Sequence, residues 1–274
     1  MDSKDFDFLK NLLLKESGLV VTPEKMYLLE SRLLPLAAKK NLDGLVGLIS
    51  NIRTTNDRSL TYEVVEAMTT NETSFFRDTS PFDRLRDDVM PFLIKNRPSK
   101  TLKIWSAACS SGQEPYSIAM ILKEMPALTD WRIEIVATDL SREILDQAKK
   151  GIYSQFEVQR GLPIKLLVKY FTQNGDKWAV NDLLKKAITF REANLLRDIR
   201  GMESFDIVFC RNVLIYFDLA SKTKILSDVK NVLKQDGVLF LGGAETVIGV
   251  SNDFKPVPEL RGLYVRHDSS FSHK

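Results

Sequence analysis

The chain has 274 residues, 44% of them hydrophobic and 27% charged, with 39 basic against 36 acidic side chains. This is a globular composition sufficient for two domains, and a net charge of +3 gives no ground for a nucleic-acid partner. The two histidines, His267 and His273, lie at the end, and the two cysteines, Cys109 and Cys210, stand far apart. That argues against a Cys/His metal site, a histidine-based catalytic triad and a disulfide framework. No metal is expected. The start, Met1-Asp2-Ser3-Lys4-Asp5, lacks a signal-peptide core, and no apolar run approaches the roughly 18 residues of a membrane span. A cytoplasmic location without membrane insertion is expected.

Residues 1–70 carry helical periodicity. Phe6, Leu9 and Leu13 share one helix face. Thr22-Pro23-Glu24 reads as a helix start, with threonine capping and proline in the first turn. Met26, Leu29, Leu33 and Leu36 follow, and Pro35 predicts a kink or an end near Leu34. Shorter helices are predicted over 43–53 and 59–68. A linker helix over 78–97 follows, with Phe82, Leu85, Val89 and Phe92 as its stripe.

From residue 100 strands alternate with helices. The predicted strands are Leu102–Ala107, Ile133–Thr138, Ala187–Arg191, Phe205–Cys210, Val238–Leu241 and Leu260–Arg266, and the predicted helices 114–125, 141–149 and 219–234. The last helix is expected to end at Asp236-Gly237. Continuous apolar runs such as Ile207-Val208-Phe209-Cys210 fit strands covered on both faces of a parallel sheet. The fold class is therefore doubly wound α/β behind a small helical domain, with a mixed insertion at 151–186. Disorder is expected over 268–274.

Ligands of open α/β sheets bind beyond the carboxyl ends of the strands. The first strand is followed by Ser106-Ala107-Ala108-Cys109-Ser110-Ser111-Gly112-Gln113-Glu114-Pro115, which has one glycine and no lysine. It is neither a GxGxxG nor a P-loop, and Glu114 suits a cation better than a pyrophosphate. It is equally compatible with a plain tight turn. Asp139, after the second strand, is placed either to hold ribose hydroxyls or to cap the next helix. Asn194, after the third, suits an adenine edge or a turn. Arg211, Asn212 and Tyr216 follow the fourth, Tyr216 being open to a site role or to packing. Cys109 and Cys210 read as small buried residues. Together these features describe a nucleoside pocket lined by acids and without a phosphate cradle, which fits S-adenosylmethionine.

Four stretches together resemble the chemotaxis-receptor methyltransferases, the CheR family. They are Thr69-Thr70-Asn71-Glu72-Thr73-Ser74-Phe75-Phe76-Arg77, Trp105–Ala108 with Gly112–Ala119, Ala137-Thr138-Asp139, and Phe209-Cys210-Arg211-Asn212-Val213-Leu214-Ile215-Tyr216-Phe217. The resemblance implies an N-terminal helical domain over 1–78, a linker helix over 79–99, and a Rossmann-like class I methyltransferase domain over 100–274 with a β-rich subdomain at 151–186. It implies that Asn71, Thr73, Arg77, Glu114, Asp139, Asn194, Leu195, Asn212 and Val213 contact S-adenosylmethionine, with S-adenosylhomocysteine as product. It further implies glutamate carboxylates on the cytoplasmic methylation helices of chemoreceptors as acceptors, oriented by Arg77 or Tyr216. Receptor helices of this kind are acidic, so Lys25, Arg32, Lys39 and Lys40 are candidate docking residues. Members that use a receptor pentapeptide tether carry an extra loop, for which Tyr170–Trp178 is too short, so independence of the tether is expected. A methyltransferase with another acceptor and a non-catalytic S-adenosylmethionine sensor are the alternatives.

Overall fold

The computed structural model describes residues 1–272 and divides into two compact units, Met1–Thr70 with Tyr216–Ser221, and Asn71–Ile215 with the described residues from Lys222 onward. The first unit is built from α1 (Ser3–Ser17), α2 (Met26–Lys39), α3 (Gly44–Thr55) and α4 (Arg58–Met68). Phe6, Leu9 and Leu13 of α1, Leu29, Leu33 and Ala37 of α2, and Leu48 and Ile52 of α3 are buried, one stripe per helix at spacings of three or four. The Asp2 carboxylate accepts from the Asp5 N–H at 2.8 Å and that of Asp57 from the Ser59 N–H at 2.8 Å, capping α1 and α4. Thr22 precedes a short 3-10 turn, Pro23–Lys25, rather than capping α2 itself.

The predicted stop near Leu34 does not occur, since α2 runs through Pro35 to Lys39. Proline removes one N–H, but Leu33 and Ala37 on either side of it are both fully buried, and this packing keeps the helix going. Arg32, a predicted docking residue, points inward. Its guanidinium donates to the Met68 and Thr69 carbonyls at 2.7 and 2.9 Å and so closes the end of α4. Lys40 pairs with Glu63 at 2.6 Å.

The second unit begins at Asn71, and the segment leading into the linker is part of its core. Phe75 is fully buried and packs edge-on against Tyr153 and Phe171 at 5.0 and 5.6 Å. The linker helix is two helices, α5 (Ser80–Arg84) and α6 (Met90–Asn96), joined by a π turn at Leu85–Val89. Pro91 accounts for the turn, having no N–H to give to the preceding turn and a ring that crowds it.

The main sheet contains β1 (Thr101–Ala107), β2 (Arg132–Asp139), β6 (Ile188–Glu192), β7 (Phe205–Cys210), β8 (Leu233–Leu241), β9 (Phe254–Pro256) and β10 (Leu263–Arg266). Its order is β6-β2-β1-β7-β8-β10-β9, and β10 alone runs against the other strands, pairing antiparallel with both β8 and β9. The strand order reverses between β1 and β7, the place where such folds bind ligands. Helices α7 (Gln113–Lys123), α8 (Arg142–Lys150) and α12 (Leu219–Val232) accompany it. Asp236-Gly237 does not end a helix, since α12 stops at Val232 and both residues lie inside β8. Gly237 is needed there because a Cβ would stand 2.9 Å from the Asp206 carbonyl at a register shift of β7.

The insertion holds β3 (Ile152–Ser154), β4 (Phe171–Asn174) and β5 (Lys177–Val180) in a small antiparallel sheet. It is as helical as it is β-rich, with α9 (Gln155–Gln159), α10 (Ile164–Tyr170) and α11 (Asp182–Lys185) alongside. Of the segment expected to be disordered, Phe271 packs on Phe92 at 4.7 Å between ring centroids, while His273 and Lys274 lie outside the described residues.

Candidate active site at the strand ends

The loop after β1 folds back on itself through left-handed residues at Ala108, Ser110 and Gly112, with φ of 53°, 51° and 95°. Three of its amides are held by the protein. The Cys109 N–H donates to the Thr138 carbonyl at 2.9 Å, the Gly112 N–H to the Cys109 carbonyl at 3.0 Å, and the Ser110 N–H to the Asp139 carboxylate at 2.8 Å. The other oxygen of Asp139 accepts from the Ser141 N–H at 3.0 Å. Ser141, not Asp139, caps α8 through its hydroxyl. Asp139 is thus a buried clamp between two turns, and its side chain also ends β2 beside the loop. Ser110 ties the loop to the preceding segment by donating its hydroxyl to the Asn71 carbonyl at 2.7 Å.

Glu114 stands at the start of α7, where the helix dipole favours a carboxylate. One oxygen accepts from the Ser106 hydroxyl at 2.8 Å and the other from Arg211 at 2.8 Å. The Arg211 side chain is 1% exposed. Its second terminal nitrogen donates to the Arg77 carbonyl and the Asp78 carboxylate at 2.8 and 2.9 Å. One buried cation therefore joins the two acidic residues and fixes the 76–79 turn. That turn is strained, with Phe76, Asp78 and Thr79 all at positive φ, a condition that persists only where the surroundings hold it. The Ser117 hydroxyl accepts the Phe76 N–H at 3.0 Å, and Gly161 lies against Phe75 so closely that a Cβ could not fit. The Arg77 guanidinium is half-buried and donates to the Glu72 carbonyl at 2.9 Å.

The turn after β7 has a different lock. Asn212 is left-handed, with φ of 58°. The N–H groups of Asn212, Val213, Leu214 and Gly242 all donate to the single carboxylate of Glu245, at 2.8, 2.9, 2.7 and 2.6 Å. Sequence reasoning missed Glu245. Its only signal is an acid following Gly242-Gly243-Ala244 at the carboxyl end of a buried strand. Reasoning from the sequence placed Arg211 near a ligand but did not foresee its role as an internal clamp.

Asn194 forms a turn of its own, its side-chain oxygen accepting the Leu196 N–H at 2.9 Å. It follows Ala193, whose N–H reaches the Asp139 carbonyl at 3.0 Å, so Asn194 and the buried Leu195 are carried to the same strand ends. Thr73 lies half-buried between Asn71 and Phe75. Tyr216 is counted with the helical unit, where its carbonyl accepts the Val20 N–H at 3.1 Å. Both thiols are fully buried, and burial pushes the pKa of each well up, with Asp139 and Glu114 adding to it at Cys109, and Glu245 and Glu114 at Cys210. Such thiols are inert as nucleophiles.

These residues suit S-adenosylmethionine. Three of the loop amides are engaged by the protein, and what stands at the strand ends is carboxylate and carboxamide. The Glu114 carboxylate accepts two bonds out of about four that it can take, which leaves it able to receive a ligand's ammonium group.

Comparison with known proteins agrees with this geometry. Residues 4–69 match the CheR methyltransferase all-alpha domain, and residues 71–262 the CheR methyltransferase SAM binding domain. The chemotaxis protein methyltransferase Cher2 of Pseudomonas putida is 41% identical over 264 residues, covering 94% of this chain and 96% of that one. Chemotaxis protein methyltransferase 1 of Pseudomonas aeruginosa is 41% identical over 267 residues, covering 96% and 97%. The chemotaxis protein methyltransferase of Borreliella burgdorferi is 36% identical over 242 residues, covering 86% and 85%. No described helix is long and apolar enough to cross a membrane. With its helical unit, its strand-end pocket and its relatives in agreement, the chain belongs to the CheR family of S-adenosylmethionine-dependent chemotaxis protein methyltransferases.

Proposed function

We propose that the chain methylates glutamate side chains on the cytoplasmic methylation helices of chemoreceptors, forming methyl esters. The observation that carries this reading is the placing of the carboxylates of Glu114 and Asp139 on either side of a lysine-free loop three of whose amides are already engaged, which favours a phosphate-free, cationic nucleoside. When bound, the cofactor supplies a methyl group on a sulfonium that already carries its leaving group. The acceptor carboxylate, with a pKa of roughly 4.3, is ionised at neutral pH and needs no general base. That is consistent with a chain whose two histidines lie in its last eight residues.

The chain's own work is therefore positioning, which can recover about 7–11 kcal/mol of a barrier. Asn71, Thr73, Glu114, Asp139, Asn194, Leu195, Asn212 and Val213 hold the cofactor. Arg77 and Tyr216 orient the acceptor carboxylate through a guanidinium fork and a hydroxyl, and Arg77 also meets the cofactor carboxylate. Independence of a pentapeptide tether is supported by the β4–β5 hairpin, which turns on Gly175-Asp176 alone, between the paired Asn174 and Lys177. Such a turn has no room for an added loop. Of the basic residues considered for receptor docking, Lys25 and Lys39 are exposed and better placed than Arg32, whose guanidinium is engaged within its own unit.

The test is incubation with methyl-labelled S-adenosylmethionine and receptor-containing membranes. The expected result is receptor label released as methanol in mild base, lost in Arg77→Ala and reduced in Tyr216→Phe. Base-stable label would mean a different acceptor. Full turnover in both variants would remove their assigned roles, and tight binding of a receptor pentapeptide by calorimetry would contradict the tether-free reading.

A further inference from the structure

We infer that Glu245 is a positioning residue for the cofactor, acting through the turn that carries Asn212 and Val213. The inference rests on the proposed contact of those two residues with S-adenosylmethionine. Four backbone N–H groups converge on one carboxylate, at 2.6 to 2.9 Å. Three come from consecutive residues of one turn and the fourth from Gly242, at the end of the neighbouring strand.

Consecutive N–H groups pointing inward at one anion require a backbone that would otherwise be poorly populated. Asn212 supplies it at φ of 58°, where a residue other than glycine is uncommon. The carboxylate repays that cost with charge-assisted bonds in a place that is 8% exposed. The fit is close on the other side as well. A Cβ on Gly242 would stand 2.7 Å from the nearer Glu245 oxygen and 2.8 Å from the Asn212 side-chain nitrogen. Gly242 thus lets Glu245 approach, Glu245 sets the turn, and the turn sets the direction of the Asn212 carboxamide.

Glu245 need not touch the cofactor to matter. Replacing its charge with an amide of the same shape turns one acceptor oxygen into a donor that faces N–H groups. The carboxylate's site then loses two of its four bonds, and the turn is free to leave the left-handed conformation. The affected quantity is cofactor affinity, whereas turnover at saturating cofactor should largely survive.

The test compares wild type, Glu245→Gln, Asn212→Ala and the double variant by titration with S-adenosylhomocysteine and by methyl-transfer kinetics. Val229→Ala, a core truncation in α12, serves as a control for stability alone. The expected result for Glu245→Gln is a rise of about tenfold in Kd and in KM for S-adenosylmethionine, equivalent to about 1.4 kcal/mol, with kcat within about twofold. Adding it to Asn212→Ala should cost little more, because both act through one turn. Val229→Ala should lower Tm while leaving Kd unchanged. Unchanged affinity in Glu245→Gln, alongside weakened binding in Asn212→Ala, would overturn the inference and leave the cofactor reading standing. Unchanged affinity in Asn212→Ala would overturn the cofactor reading and the inference with it.

Discussion

Two turns at neighbouring strand ends solve one problem in different ways. The turn after β1 and the turn after β7 each place a non-glycine residue in the left-handed region, Ser110 at 51° and Asn212 at 58°. Each is closed by a buried carboxylate from elsewhere in the chain. Asp139 comes from the adjacent parallel strand and takes one N–H from the first turn, whose other bonds reach Thr138, Asn71 and the turn itself. Glu245 comes from beyond the next strand and takes three from the second. The first turn is a loop stapled at one point, the second a loop wound around an anion. A strand-end pocket can thus be rigid without glycine-rich sequence, provided an acid is buried against its amides. The amides so engaged are closed to a phosphate, so the locking device also narrows the ligand class.

Arg211 joins the two turns, since it leaves the second and pairs with Glu114 beyond the first. Its removal should have the largest effect. Arg211→Met strands a nearly buried carboxylate and frees the 76–79 turn, and should cost about 3–5 kcal/mol by urea denaturation, with loss of S-adenosylhomocysteine binding. A cost under about 1 kcal/mol, the range of a surface ion pair, would show the clamp to be idle. Next come the two carboxylates. Glu245→Gln sets its amide nitrogen against two backbone N–H groups and Asp139→Asn against that of Ser110 or Ser141, each worth about 1–3 kcal/mol when a buried donor is left unmet. Glu245→Gln should therefore destabilise more, and the reverse order would break the contrast drawn between the turns.

The smallest effect concerns the thiols that flank the turns. Burial pushes both well above the ordinary value of 9.0, so the folded chain keeps both protons where the unfolded chain loses them. Stability from this source is intact below about pH 9 and falls as pH rises beyond it. Both thiols should resist thiol reagents near pH 8 until denaturant is added, and rapid native labelling of either would contradict their burial.

How far the sequence foretold these features depended on how local their causes were. The six residues of β7 match their prediction because Phe205–Cys210 is buried along its whole length. Asp139 was visible because it ends a strand, although the sequence could not show that its two oxygens serve two different turns. The π turn before Pro91 and the uninterrupted α2 at Pro35 show one residue type with two outcomes, decided by packing that sequence periodicity does not specify. β9, three residues ending in Pro256, exists only through its pairing with β10. The segment 69–77 gained a role only from its likeness to the family. Its physical reason, the buried Phe75, lies in long-range packing. Glu245 was invisible for the same reason, since three of its four backbone partners belong to the distant turn at Asn212–Leu214.

The central claim is that the strand-end pocket takes a phosphate-free nucleoside by carboxylates and carboxamides. It is tested most directly by titrating the purified protein with S-adenosylhomocysteine in the absence and presence of excess ATP. The account predicts one binding site per chain whose affinity ATP leaves unchanged and Asp139→Asn weakens. Competition by ATP, or full affinity in Asp139→Asn, would contradict it.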